Sequence, residues 1–115
     1  MLSMNVIERS QASYSSPLVI VKKADGSNRV CVNFKALNAI TEFDPEPMMT
    51  TEDIFPKLAQ SKFYSKFDFC KGYWAIPMAE DSKDYTSFPT SSGLMRFRTM
   101  PFGLVNAGST YNRMI

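Results

Sequence analysis

The sequence predicts an α+β fold, and three observations predict it. Two runs of alternating or β-branched apolar residues flank Asp25-Gly26, the pattern of a β-hairpin. A second pair of runs flanks Thr90-Ser91-Ser92-Gly93 in the same way. Short helical patterns lie between and after them, separated by extended chain marked with prolines. With 44% hydrophobic and 21% charged residues among 115, the composition is that of a folded domain or part of one and excludes wholesale disorder.

In chain order, the first sixteen residues are polar and mixed, diluted by Ser10, Ser13, Ser15 and Ser16, and read as irregular with one helical turn around Met4 to Glu8. Leu18-Val19-Ile20-Val21 is β-branched and reads as a buried strand, and Arg29 to Phe34 alternates as its hairpin partner. Pro45 and Pro47 enforce an extended crossing segment. Thr50 to Asp53 opens a short helix, with Asp53 as N-cap if Pro56 is to fall at the third helical position, where its missing N–H costs little. That helix ends near Gln60. Phe63 to Phe69 alternates as a central strand, with Phe63, Ser65, Phe67 and Phe69 on one face and Tyr64, Lys66 and Asp68 on the other. Tyr85 to Phe88 and Leu94 to Met100 form the second hairpin, and a helix runs from Asn106.

The same inventory removes several function classes. There is no histidine, so zinc fingers and histidine-based triads are excluded. Cys31 and Cys70 are too few for a disulfide scaffold, stand in no CxxC, and read as small buried hydrophobes. No apolar run reaches the roughly 18 residues of a membrane span, and no signal-peptide pattern opens the chain. The expectation is an intracellular protein, in a cytoplasmic particle or the nucleus, with no membrane partner. A net charge of +2 does not by itself indicate nucleic acid, which requires clustered basic residues.

Four places in the chain carry possible chemistry. Asp68, at the end of an aromatic strand, offers a hard oxygen donor of the kind Mg²⁺ prefers; a lone exposed strand aspartate is the plainer reading. Lys22, Lys23 and Arg29 bracket the first hairpin turn, where cations either grip a polyphosphate or keep a solvated edge from pairing. Gly72-Tyr73-Trp74 sets two large aromatics to stack on a sugar or base, or to fill a core. Pro101-Phe102-Gly103-Leu104 is a tight turn ahead of a helix.

It is the order and spacing of these pieces that carry a family likeness. Ser15-Ser16-Pro17-Leu18-Val19-Ile20-Val21-Lys22-Lys23-Ala24-Asp25-Gly26-Ser27, followed by Arg29 to Asn38, resembles the fingers region of reverse transcriptases. Phe67-Asp68-Phe69-Cys70-Lys71-Gly72-Tyr73 resembles the first catalytic motif of their palm. Met100-Pro101-Phe102-Gly103-Leu104-Val105-Asn106-Ala107 is similar to a block of gypsy-like long-terminal-repeat retrotransposon polymerases, and Val6 to Ser10 looks like the lead-in to the Ser-Pro strand. The resemblance spans essentially the whole chain. It implies a partial right-hand polymerase fold: a fingers β-hairpin plus an incomplete ferredoxin-like palm. Residues 1–62 would be mainly fingers, 63–77 the first palm motif and 78–115 the return between the two.

The resemblance also implies roles. Asp68 would be the first catalytic, metal-binding aspartate, with the Phe69 carbonyl near the same ions. Lys23 and Arg29 would hold the incoming triphosphate, Lys71 and Gly72 would offer it backbone N–H groups, Tyr73 would exclude a ribose 2′-hydroxyl, and Phe102 would pack the nucleotide pocket. The implied cofactor is Mg²⁺, with Mn²⁺ as a substitute. Deoxynucleoside triphosphates are the implied substrates, and an RNA template, a DNA primer and the remainder of a retrotransposon polyprotein are the implied partners. The chain departs from the pattern at Asn33, usually Asp; Lys35, often Arg; Gly108, usually Pro; and Pro56, inside a helix. A Tyr-x-Asp-Asp motif with the second pair of carboxylates is not among the 115 residues, so the expectation is a fragment that is inactive alone. A non-catalytic nucleic-acid-binding module and a decayed or domesticated retroelement remnant are the alternatives.

Overall fold

In the computed structural model, which describes residues 4–115, most of the apolar burial is concentrated around a three-stranded antiparallel sheet. Its strands are β1 (Ile7–Arg9), β4 (Phe88–Thr90) and β5 (Gly93–Phe97), in the order β1-β5-β4. A separate two-stranded hairpin pairs β2 (Leu18–Lys22) with β3 (Asn28–Val32). The helices are α1 (Lys35–Ile40), α2 (Thr51–Ala59) and α3 (Ala107–Met114), and two 3-10 segments cover Gly72–Ala75 and Glu80–Thr86.

The core is aromatic. Phe34, Phe88 and Phe97 are buried, with ring centroids 6.3 Å apart for Phe34–Phe97 and 5.2 Å for Phe88–Phe97. Val6, Leu37 and Met95 close around them, and Val32 and Trp74 pack on the outside. Alternation on β5 explains the arrangement: Met95 and Phe97 point inward, while Arg96 points to the other face. There, directly opposite Glu8 in the strand register, Arg96 bonds Glu8 (3.1 Å), Asp84 (2.7 Å) and Glu80 (3.2 Å). The buried hydroxyls of Thr86 and Ser87 are paired, whereas that of Thr99 has no partner. Thr86 Oγ1 donates to the Lys83 carbonyl at 2.6 Å and accepts the Phe97 N–H at 3.0 Å, and Ser87 Oγ donates to the Asp84 carbonyl at 2.7 Å. Leaving such groups unpaired would cost about 1–3 kcal/mol each.

Several sequence expectations are corrected here. Ile7–Arg9 is a strand rather than part of an irregular lead-in, because β5 supplies a partner that local propensity does not reveal; residues 1–3 lie outside the described residues. Residues 35–40 form a helix, started by Asn33 Oδ1 accepting the Lys35 N–H at 3.0 Å, a role the usual aspartate would fill equally. Helix α2 begins earlier than Asp53. Thr50 is its N-cap, with Oγ1 accepting the Asp53 N–H at 3.3 Å, and Pro56 is accommodated inside the helix. Tyr85 and Thr86 belong to the 3-10 segment, not to the second hairpin. Gly108 lies within α3 without interrupting it. Cys31 is half-buried and Cys70 exposed.

Two corrections share one physical cause. Strand β2 is exposed along all five residues, and Phe63 to Phe69 forms no strand. A strand needs a neighbour, and a buried strand needs a second layer. Among the described residues neither segment has the missing layer, so Phe63 (92% exposed) and Phe67 (87%) face solvent, as do Ile20 and Val30. The radius of gyration, 17.2 Å, reflects this openness, against about 13 Å for a compact chain of this length. Helix α2 likewise buries no residue.

Truncating the central ring, Phe97→Ala, is expected to cost about 3–5 kcal/mol in urea unfolding. The Arg96 cluster predicts acid sensitivity. The hydrogen bond from Lys83, then its charge and that of Arg96, hold the Glu80 carboxyl below its usual range. A lowered native pKa stabilises the fold above the ordinary glutamate range, and that stabilisation is lost as pH falls through the lowered value. Thermal melts between about pH 7 and pH 3 should therefore show a shallower acid decline for Glu80→Gln than for the parent.

Candidate functional site

The first hairpin tip is built by its own polar groups. Asp25 Oδ1 accepts both the Ser27 N–H (2.9 Å) and the Ser27 hydroxyl (2.7 Å), and those bonds lower its pKa and keep the carboxylate charged. Gly26 takes φ +86, a left-handed backbone that glycine adopts without penalty, and its N–H bonds the Lys23 carbonyl at 3.0 Å. The hairpin contributes Lys23 and Arg29 to the lining of a cleft of about 620 Å³. Lys71, Trp74, Phe102 and Gly103 line the same cleft. Among the described residues no carboxylate lies within ion-pair distance of Lys23, Arg29 or Lys71. Three unneutralised cations in one concavity raise the local concentration of anions.

A second hollow, about 720 Å³, opens beside the first and is lined by Phe67, Asp68, Phe69, Gly72, Tyr73, Phe102 and Tyr111. Phe102 lines both hollows, so its ring is the partition between cations and carboxylate. The ring is held there by the turn that carries it. Gly103 takes φ +97, and the Asn38 side chain clamps the turn, its Nδ2 donating to the Gly103 carbonyl and its Oδ1 accepting the Val105 N–H, both at 2.9 Å. Tyr73 and Trp74 lean on Phe102 with centroids 5.0 and 6.0 Å away.

The structure therefore gathers the residues singled out in the sequence into two adjoining groups. Lys23, Arg29, Lys71 and Phe102 line the first cleft; Asp68, Phe69, Gly72, Tyr73 and Phe102 line the second. Asp68 is exposed, and among the described residues no set of three or more acidic or cysteine side chains is placed to hold a metal ion. The one carboxylate and the Phe69 carbonyl offer hard oxygen donors, but they do not complete a two-ion centre.

Tyr111 is the residue the sequence did not single out. It sits edge-on to Tyr73 (5.3 Å) and Phe69 (6.4 Å), one helical turn beyond buried Ala107 on the same face of α3. The i to i+4 spacing from Ala107 was the available signal. Gly72 is small because of it: a Cβ there would stand 2.6 Å from Tyr111 Oη and 2.8 Å from Cζ. Helix α3 is in turn tied to the crossing segment by Arg113, which bonds Asp44 (2.6 Å) and Glu46 (3.0 Å), and by Asn106, whose Nδ2 donates to the Glu42 carbonyl at 2.7 Å.

Residues 21–115 match the family described as reverse transcriptase (RNA-dependent DNA polymerase). The chain belongs to that family. It is 37% identical over 118 residues to the retrovirus-related Pol polyprotein from transposon 297 of Drosophila melanogaster, with 98% of this chain covered and 11% of that one. It is 32% identical over 121 residues to the polyprotein from transposon gypsy of the same organism, covering all of this chain and 12% of the relative. The gypsy-like expectation is thus borne out. The chain spans about a tenth of the length of these polyproteins. In fold it is similar to the prototype foamy virus protease-reverse transcriptase, with a TM-score of 0.84 at 19% identity over 98% of this chain and 15% of that one. The foamy viral protein in complex with an RNA/DNA hybrid gives a TM-score of 0.77 at 19% identity, with the same coverage. The α+β, partial right-hand polymerase fold expected from the sequence is therefore the fold observed. Among the described residues, no helix is long and apolar enough to cross a membrane.

The Gly72–Tyr111 contact yields a direct test. Gly72→Ala should destabilise by about 1–3 kcal/mol through overpacking. The double variant Gly72→Ala/Tyr111→Ser should lose less than the two single losses combined, as chemical denaturation of all four proteins would show.

Proposed function

We propose that this chain forms the nucleotide-gripping and first-carboxylate part of an RNA-directed DNA polymerase. The observation that carries the proposal is the shared Phe102 wall, which sets an uncompensated three-cation cleft next to the hollow containing Asp68. Phosphoryl transfer needs just this kind of help: positioning, and charge placed where charge develops. In this reading residues 1–62 are mainly fingers, 63–77 the first palm motif, and 78–115 the return between them.

Each side chain then has a task. Lys23 and Arg29 neutralise the triphosphate of an incoming deoxynucleotide, Arg29 with a fork suited to two oxygens at once. The N–H groups of Lys71 and Gly72 face the same phosphates. Tyr73, backed by Tyr111 and Phe102, presents a ring edge that a ribose 2′-hydroxyl would strike. Asp68 and the Phe69 carbonyl would hold one edge of a Mg²⁺ site, with Mn²⁺ as a substitute; the ion supplies electrostatic stabilisation of the reacting oxygens. RNA template, DNA primer and the other parts of a retrotransposon polyprotein are the partners in this reading. The foamy viral protein of similar fold, solved with an RNA/DNA hybrid, supports the choice of template and primer.

Two measurements test it. Calorimetric titration with a deoxynucleoside triphosphate should show saturable binding that weakens at least tenfold in Lys23→Ala/Arg29→Ala, since each charge-assisted contact is worth about 1.5–3 kcal/mol. Equal binding by the two proteins would sink the assignment of the cleft. Primer extension by the 115-residue chain alone should be undetectable, because among the described residues Asp68 belongs to no set of three or more metal-holding side chains. Extension that disappears in Asp68→Ala would overturn the incomplete-centre reading.

A further inference from the structure

The side chain of Lys71 has a position that a role limited to its backbone N–H does not explain. Lys71 takes φ 52 and ψ 48, the left-handed region, which L-residues with a Cβ disfavour. Such a conformation persists where the surroundings over-determine it. Here the ammonium lies 5.3 Å from the centre of the Trp74 ring, and both residues line the cleft that Lys23 and Arg29 also line. Among the described residues no carboxylate competes for that ammonium. The indole itself is anchored, half-buried against Phe102 and the aromatic core, with its Nε1 buried and turned away from solvent. Trp74 therefore offers the lysine a fixed face rather than a mobile partner.

The magnitudes decide what such a contact does. A cation–π contact at an exposed site is weaker than a charge-assisted hydrogen bond to a phosphate oxygen. Lys71 is held well enough to be placed and weakly enough to be recruited. We infer that the Lys71 ammonium is a third, movable cation for a polyphosphate, resting on Trp74 while the cleft is empty and transferring to phosphate oxygen when the cleft fills. The inference rests on the nucleotide reading proposed above and adds to it a side-chain contact and a positioning role for Trp74.

Trp74 is the one tryptophan in the chain, so its emission reports directly on the lysine. The probe is inorganic tripolyphosphate, titrated without divalent metal into sub-micromolar protein, with binding heat measured in parallel. The parent should show a saturable change in emission together with binding. Lys71→Gln should start from an altered emission, show no saturable change, and bind about tenfold more weakly. Lys71→Gly, which relieves the left-handed backbone, should melt no lower than the parent yet lose the same response, separating recruitment from a structural role. If tripolyphosphate binds parent and Lys71→Gln equally and the emission of the parent does not move, the Lys71 inference falls while the cleft assignment stands. If the parent binds no tripolyphosphate by either measurement, the cleft assignment falls with it. If a thymidine homo-oligomer moves the emission and tripolyphosphate does not, the cations serve a nucleic-acid backbone and the inference is overturned.

Discussion

One side-chain amide sets the turn on which the site depends. Asn38, on the helix that follows the first hairpin, closes two hydrogen bonds on the turn at Gly103 and Val105. Those bonds hold together residues 65 and 67 positions apart, and they decide where the Phe102 ring stands. Everything at the site is referred to that ring. It separates the three cations from the carboxylate, supports Tyr73 and Trp74, and lines both hollows. The left-handed Gly103 makes the turn tight enough for the amide to reach both partners.

The energetics are divided between a firm sheet and a lighter hairpin. The β1-β5-β4 sheet covers a buried phenylalanine core, with Arg96 and three carboxylates securing the outer face. The β2-β3 hairpin that carries Lys23 and Arg29 is a two-stranded ribbon anchored only at its base. Two-stranded ribbons are marginal on their own, so the element bearing the cations is drawn from the least stable part of the fold. A firm base and a compliant tip allow a cleft to tighten on a ligand without disturbing the aromatic core.

Much of this was legible in the chain of letters, and the physical reasons differ from place to place. The first hairpin could be read because Asp25-Gly26 dictates a local turn and the flanking runs alternate. Lys23, Arg29, Asp68, Gly72, Tyr73 and Phe102 could be singled out because they stand in ordered blocks that resemble a known family. Ile7–Arg9 could not be read as a strand, since its pairing partner lies some 88 residues away and its own residues are indifferent. Phe63 to Phe69 read as a strand from perfect alternation, yet alternation specifies only which side chains share a face. Without a neighbouring strand among the described residues the segment stays irregular and exposed. Tyr111 was passed over because its importance lies in a contact with the missing side chain of Gly72, and a contact with an absence leaves no mark in composition or spacing.

By itself, then, the sequence determined the α+β class, the family and the identity of most residues at the site, because turn chemistry, periodicity and motif order are local properties. It could not determine that the cations share one cleft with no counter-charge, that a phenylalanine divides them from Asp68, or that Lys71 lies on Trp74. Those facts depend on distances between residues far apart in the chain. Only packing around Phe34, Phe88 and Phe97, with the Asn38 clamp, decides such distances, because burial and hydrogen-bond satisfaction act on the whole fold at once.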